Sequence, residues 1–363
     1  EDIRAGFDST WTRRGLWDKS YSESRTTGVP AMILELMSHQ NLADMKYGLD
    51  PSFRFTVCRA VYKGILKTLS EYYGCPYMVQ PLPVHAMSLK FCGEGRVRLE
   101  WKPTPDPLEP TAVSSGYTVY TRIDGGAFDA GVETDSTWIE LPVRPGHVYS
   151  FKVEAFNAGG RSFPSETLSA GVAENPDNPR PVLIVNNFDR VSAPAWVDTP
   201  QYAGFDSRKD SGVPYIRDIG FVGENYEFDR TSEFVDNDYP GFGASYGDYA
   251  GKFVAGNSFD FPAVHGRTLL REGYSFCSMS REAFCSSPEA VDAFALDLIC
   301  GKQRRTRIGR GAVPDRFEVF PGKLCDALAA FAGNGGNIFM SGSDIASDCD
   351  DAQAGFAASR NWK

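Results

Sequence analysis

Four segments of this chain alternate with a period of two. "RVRLEWKP" (96–103), "GYTVYTRIDGG" (116–126), "STWIELP" (136–142) and "VYSFKVEAFN" (148–157) place apolar side chains two apart, and Pro, Gly, Asp or Asn bounds each of them. A strand sends successive side chains to opposite faces, so this pattern marks strands with one face buried. Several short strands at such spacing predict an antiparallel β-sandwich over residues 79–173.

The flanks read differently. "CPYMVQPLPVH" (75–85) and "AENPDNPRP" (173–181) are rich in Pro, Asn and Asp and read as linkers. Before the first linker, residues 1–78 give a polar stretch, an apolar run "PAMILEL" (30–36) expected to be a buried strand, then a long helix. In that helix Phe55, Cys58, Val61, Tyr62, Ile65, Leu66 and Leu69 recur at helical spacing, Pro51 suits the first turn and Gly74 the C-terminal cap. Beyond the second linker, "PVLIVNNF" (181–188) and "AFALDLICGK" (293–302) read as buried strands. "SFDFPAVHGRTLLREGYSFCSMS" (258–280) reads as helix then strand, and "PGKLCDALAAFAGNGGNIFMSGSD" (321–344) as helix, glycine-capped turn and strand. Continuous apolar strands between helices predict a parallel sheet covered on both faces. Three domains are therefore expected: a partial α/β domain over 1–78, an all-β sandwich over 79–173 and an α/β domain over 180–363. The last carries a long insert at about 198–256, rich in Gly, Tyr and Asp.

Charge and composition narrow the function. The formal net charge of −10 argues against nucleic acid as a partner, since phosphate binding needs a concentrated basic face. The basic stretch "GKQRRTRIGRG" (301–311) is read as a solvated loop or strand edge. The eight cysteines form no CxxC pair and no zinc spacing. Cys58 and Cys300 lie in apolar segments, where a free thiol acts as a small hydrophobe. No apolar run is long enough to span a membrane. The chain opens at Glu1 without a leader, which reads as a processed or partial sequence.

Glu35 is the candidate catalytic residue. An acid at the carboxyl end of a buried parallel strand is either a functional carboxylate or one that accepts backbone N–H bonds from the next loop, because ligands gather at that end and desolvation raises the carboxyl pKa. The four histidines, His39, His85, His147 and His265, do not supply a three-ligand metal set around it. A Cys300/His265 pair, or Ser341 or Ser343 on a strand-to-helix elbow, would suit nucleophilic chemistry, but neither segment has the G-x-C-x-G or G-x-S-x-G form. The aromatic and acidic insert could stack on sugar or bind a cation.

Three resemblances attach to these residues. Trp101, Tyr117 and the run "RPGHVYSFKVEAFNAGGRSFPSE", with Tyr149, Asn157, Gly160, Ser162, Pro164 and Ser165, resemble a fibronectin type III domain, which implies that Tyr149 packs at a strand corner. Arg14-Gly15, Pro30 to Glu35, Ser38 and Asn41, with the helix that follows, resemble the C-terminal part of the zinc-dependent N-acetylmuramoyl-L-alanine amidases. That implies Glu35 as acid/base in hydrolysis of the muramoyl–alanine amide. It also implies zinc, held by ligands upstream of this motif that the chain does not carry, so the chain alone is expected to be inactive. Residues 180–363 resemble the flavodoxin-like, glutamine-amidotransferase-like sheets that follow such modules in envelope proteins of Bacteroidetes, some labelled xanthan lyase-related. Together these imply peptidoglycan or another cell-surface glycan as partner, and a periplasmic, cell-surface or secreted place. The rival expectations are a non-catalytic glycan- or protein-binding envelope protein and a polysaccharide-degrading one.

Overall fold

The computed structural model describes residues 1–93, 95–189, 196–198, 203–205, 234, 260–287, 292–305 and 315–350. In chain order its elements are α1 (Asp2–Gly6), α2 (Ser22–Arg25), α3 (Leu42–Gly48), α4 (Pro51–Tyr73), β1 (His85–Gly93), β2 (Arg96–Lys102), β3 (Gly116–Ile123), β4 (Val132–Thr134), β5 (Trp138–Pro142), β6 (Val148–Asn157), β7 (Gly160–Arg161), β8 (Leu168–Gly171), β9 (Val182–Asn186), β10 (Trp196–Asp198), β11 (Ala203–Phe205), α5 (Phe261–Arg271), β12 (Phe276–Ser280), α6 (Arg281–Ser286), β13 (Ala295–Gly301), α7 (Gly322–Gly333), β14 (Asn337–Gly342) and α8 (Ser347–Asp350). Contacts divide the chain into two compact units, 1–60 with 193–254 and 307–315, and 61–192 with 255–306 and 316–363.

In the first unit an aromatic cluster forms the core. Phe53, fully buried at the start of α4, meets Phe7 at 5.2 Å and Tyr47 at 5.1 Å between ring centroids. Buried Asp50 accepts the Phe53 N–H at 2.9 Å and so caps α4 just before Pro51. Asn41 caps α3 by accepting from the Asp44 N–H, while Asp44 accepts from the Ser38 N–H. β10 and β11 form an antiparallel hairpin.

Two expectations for residues 1–78 need correction. The run 30–36 forms no strand, and Met32, Ile33 and Leu34 are exposed, as is Val29 before them. A strand exists by pairing its N–H and C=O groups with a neighbour, and no described strand pairs with this run. The apolar stripe read on α4 is also not the buried one: Phe53 and Val57 are buried, whereas Cys58, Ile65 and Leu69 are exposed. Buried Lys63 reaches Asp106 at 3.4 Å and Lys67 reaches Glu109 at 3.1 Å, which ties the second half of α4 to the loop after β2.

In the second unit β1, β2 and β5 pair antiparallel in one sheet of the sandwich, and β4, β3, β6 and β8 in the other. Inward residues of both, including Leu89, Leu99, Trp101, Val119, Phe151, Val153 and Leu168, share one core. The motif residues have defined tasks. The Tyr149 hydroxyl accepts the Arg144 N–H at 3.3 Å across the strand corner. Ser162 and Ser165 accept the N–H groups of Ala155 and Val153 where β6 has lost a neighbour. Asn157 donates to the carbonyls of Val79, Thr111 and Val113 and so pins the chain that enters the sandwich. His85, read as linker, is the first residue of β1, and its Nδ1 lies 2.9 Å from the Thr104 hydroxyl.

The remaining strands β12, β9, β13 and β14 are parallel and lie in that order. α5 packs on one face, against Val182, Ile184, Phe276 and Ile299, while residues of α6 and α7 join the core on the other face with Leu183, Val185, Leu296 and Leu298. Right-handed crossovers dictate this split, because the chain steps from β9 to β12 in one direction and from β12 through β13 to β14 in the other. The sandwich and the parallel strands are one hydrogen-bonded system. β12 pairs antiparallel with β8 at Phe276–Gly171 and with β1 at Met279–Ser88. The Ser278 hydroxyl accepts from the Ser169 N–H at 2.7 Å and donates to the Ser169 carbonyl at 2.8 Å. The insert at 198–256 lies, beyond β10, β11 and Phe234, outside the described residues.

Candidate functional site

The carboxyl ends of parallel strands are where open α/β sheets hold ligands, and here they carry a polar cluster. Asn187, fully buried after β9, donates to the Val319 carbonyl at 2.8 Å and to Cys300 Sγ at 3.4 Å. Asp189 accepts from Gln303 Nε2 at 2.7 Å and from Arg281 at 3.3 Å, while Gln303 Oε1 accepts the Asp189 N–H at 3.0 Å. Arg281 and Gln303 also donate to the Glu318 carbonyl. Asp348 accepts the Val319 and Phe320 N–H groups, both at 2.8 Å. The end of β9, the start of α6, the turn after β13 and the segment before α7 are thus laced together by side chains that donate and accept rather than attack.

This cluster is not fully satisfied. The side-chain oxygens Asn187 Oδ1 and Asp348 Oδ1 are buried and have no hydrogen-bond partner among the described residues. A buried acceptor left unmade costs about 1–3 kcal/mol, so each of these two oxygens is a place where a donor as small as water is gained at low cost.

The residues singled out from sequence scatter. Glu35 is exposed, on a segment without strand partners. Cys300 points to the α6–α7 face of β13, where burial and hydrogen bonding set its thiol; burial is the larger cause and raises its pKa, against the bond from Asn187. His265, on α5, lies on the opposite face and bonds Asp297 at 2.7 Å instead. One strand cannot aim a residue to both faces, so the Cys300/His265 pair is not assembled. Ser343 donates to the Gly301 carbonyl at 3.3 Å and to Asp344 at 2.6 Å, tying the turn after β14 to β13. Among the described residues no group of three or more His, Cys, Asp or Glu side chains is arranged to hold a metal, so the residues present do not fit the zinc that the amidase resemblance implies.

Asn187, Asp189, Arg281 and Gln303 were not singled out from sequence. The signal for them is weak: "VNNFD" after an apolar strand places two amides and an acid at a strand end, but Arg281 and Gln303 are brought there only by the topology.

No protein-family model matches the chain, and no curated protein matches it. Several solved structures are similar over about a quarter of it. The twitchin kinase region from C. elegans shares 26% identity over 24% of this chain and 16% of its own, with a TM-score of 0.22. The FN1–FN3 domains of chicken CNTN1 share 19% over 24% and 31%, with a TM-score of 0.22. The third fibronectin III domain of human KIAA0343 protein shares 16% over 28% and 88%, with a TM-score of 0.23. The fibronectin type III-like sandwich rests in this chain on the strand order and the Tyr149 corner. No helix among the described residues is long and apolar enough to cross a membrane.

Proposed function

We propose that this chain is a binding segment of a cell-envelope protein that recognises a glycan or another donor-rich polymer, without hydrolysing it through the residues described. The observation that carries this reading is the strand-end cluster: amides, an arginine and carboxylates hold each other in place, and the Asp189 carboxylate and Arg281 guanidinium remain part-exposed. Sugar hydroxyls both donate and accept, and so suit a part-exposed carboxylate beside a guanidinium. The strand order, 2-1-3-4 in local chain sequence, supports the flavodoxin-like reading of residues 180–363 and with it the placement of a ligand at this end. The sandwich, in this reading, spaces and stiffens the segment.

Cosedimentation with purified peptidoglycan tests it. Saturable binding that Asp189→Asn weakens and Glu35→Gln leaves unchanged is the expected result; loss of binding with Glu35→Gln, or none in the parent chain, sinks the reading.

A second reading, amidase chemistry with Glu35 as acid/base in a longer protein, is favoured by one feature. The Asn41 cap, α3 and the 23-residue α4 stand in the order that the resemblance implies. Muramoyl–alanine cleavage and zinc content of the longer protein, each compared with Glu35→Gln, separate the two.

A further inference from the structure

A second concavity lies on the α5 face of the parallel strands, near their amino ends. It measures about 490 Å³, within the size range of small-ligand sites, and Leu269, Tyr274, Phe294 and Phe339 make its walls largely apolar. β13 and β14 run in register with Asp297 beside Phe339, so the two emerge on the same side. Phe339 is 62% exposed, an unusual state for an aromatic residue on a parallel strand, whose faces are ordinarily covered.

Into these walls α5 sets His265. Its Nδ1 is held by Asp297 Oδ2 at 2.7 Å, and Asp297 is itself buried, with Oδ1 lacking a partner among the described residues. A carboxylate at Nδ1 places a proton there and leaves Nε2 as the ring nitrogen open to another group. No described residue bonds it. An imidazole with Nδ1 protonated accepts at Nε2, and an imidazolium donates there. A hydroxyl satisfies both forms, since it donates and accepts. Thr268 lies on the same wall.

We infer that this cleft binds an aromatic ligand carrying a hydroxyl, its ring against Tyr274, Phe294 and Phe339 and its hydroxyl on Nε2 of His265, with Asp297 as the positioning residue. The site is separate from the strand-end cluster and does not depend on the function proposed for it.

Fluorine NMR of 4-fluorophenol with the 363-residue chain tests the inference, with 4-fluoroanisole and fluorobenzene as ring-matched probes. Saturable line broadening by the phenol is expected, at least about tenfold tighter than for the other two, a ratio within reach of one hydrogen bond to a partly buried ring. His265→Phe should bring the three probes to similar affinity, and Phe339→Lys, at an exposed position that leaves the fold intact, should weaken all three. Absence of saturable binding, equal binding of the three probes to the parent chain, or a phenol preference that survives His265→Phe overturns it.

Discussion

At the scale of single residues, two groups give direct readings of their surroundings. The Tyr149 hydroxyl accepts one backbone N–H at the strand corner, and its ring is buried beside Phe151. Tyr149→Phe keeps the ring and leaves the Arg144 N–H without that partner, so a loss of about 1 kcal/mol in urea unfolding, with an unchanged slope, is expected. No change in midpoint would mean that water replaces the hydroxyl at no cost. For His265, the hydrogen bond that its ring donates to Asp297 is the largest influence and raises the pKa above the ordinary 6.5, against partial burial, which lowers it. A raised folded-state pKa means that the protonated ring favours the folded chain. That contribution is complete below the unfolded value and fades as pH rises through the folded one. The carboxylate facing the ring is Asp297 of β13, and the other titratable group on that wall is Tyr274. An NMR titration should place the His265 midpoint above 6.5, and Asp297→Asn should move it back down; a midpoint below 6.5 in the parent chain contradicts the assigned ion pair.

At the scale of elements, helix α5 shows packing overriding propensity. Alanine is a better helix former than glycine by about 1 kcal/mol, yet a Cβ at Gly266 would sit 2.0 Å from the Phe276 ring. Overpacking of this kind costs about 1–3 kcal/mol, and the ring is fully buried with nowhere to retreat. Gly266→Ala should therefore lower the thermal midpoint; a rise would show that β12 can shift away from α5. The same contest explains what could be read from sequence. Alternation in β2, β3 and β6, and the Pro51 start and Gly74 end of α4, are local signals, and the structure has them. The run at 30–36 carries an equally strong local signal and is no strand, because strand formation depends on a neighbour that sequence patterning does not reveal. Its exposed side chains make a further expectation concrete: Met32→Ser with Leu34→Ser should raise solubility without moving the unfolding midpoint, as both residues are largely exposed. A drop in stability would place them in a contact that the described structure lacks. The strand-end cluster was illegible for a different reason. Arg281 and Gln303 lie 92 and 114 residues from Asp189, and only the crossover order of β9, β12 and β13 brings them together.

At the scale of the second compact unit, the sandwich and the parallel strands are expected to unfold together. Linker composition at 173–181 suggests two independent bodies, but β12 pairs with one edge of each sheet of the sandwich, β8 at Phe276–Gly171 and β1 at Met279–Ser88. Open edges invite pairing with foreign strands, and here a strand of the same chain occupies the β8 and β1 edges. Ser278 is the rung that sequence does not announce: its hydroxyl serves both backbone groups of Ser169, which in turn meets Ser150 at 2.9 Å. Two probes follow the two parts separately: near-ultraviolet signal from Trp101, buried in the sandwich, and reactivity of the Cys277 thiol on β12, whose pKa burial pushes up to about 12. Their urea midpoints should coincide, as two-state unfolding requires. Ser278→Ala removes the rung without adding bulk, and leaving the Ser169 N–H and C=O unpaired should cost about 1–3 kcal/mol. If the edges join the two parts into one cooperative body, both midpoints fall by the same amount. If instead the Cys277 transition moves alone while that of Trp101 stays, the sandwich is stable without β12, and the shared edges are contact without cooperativity.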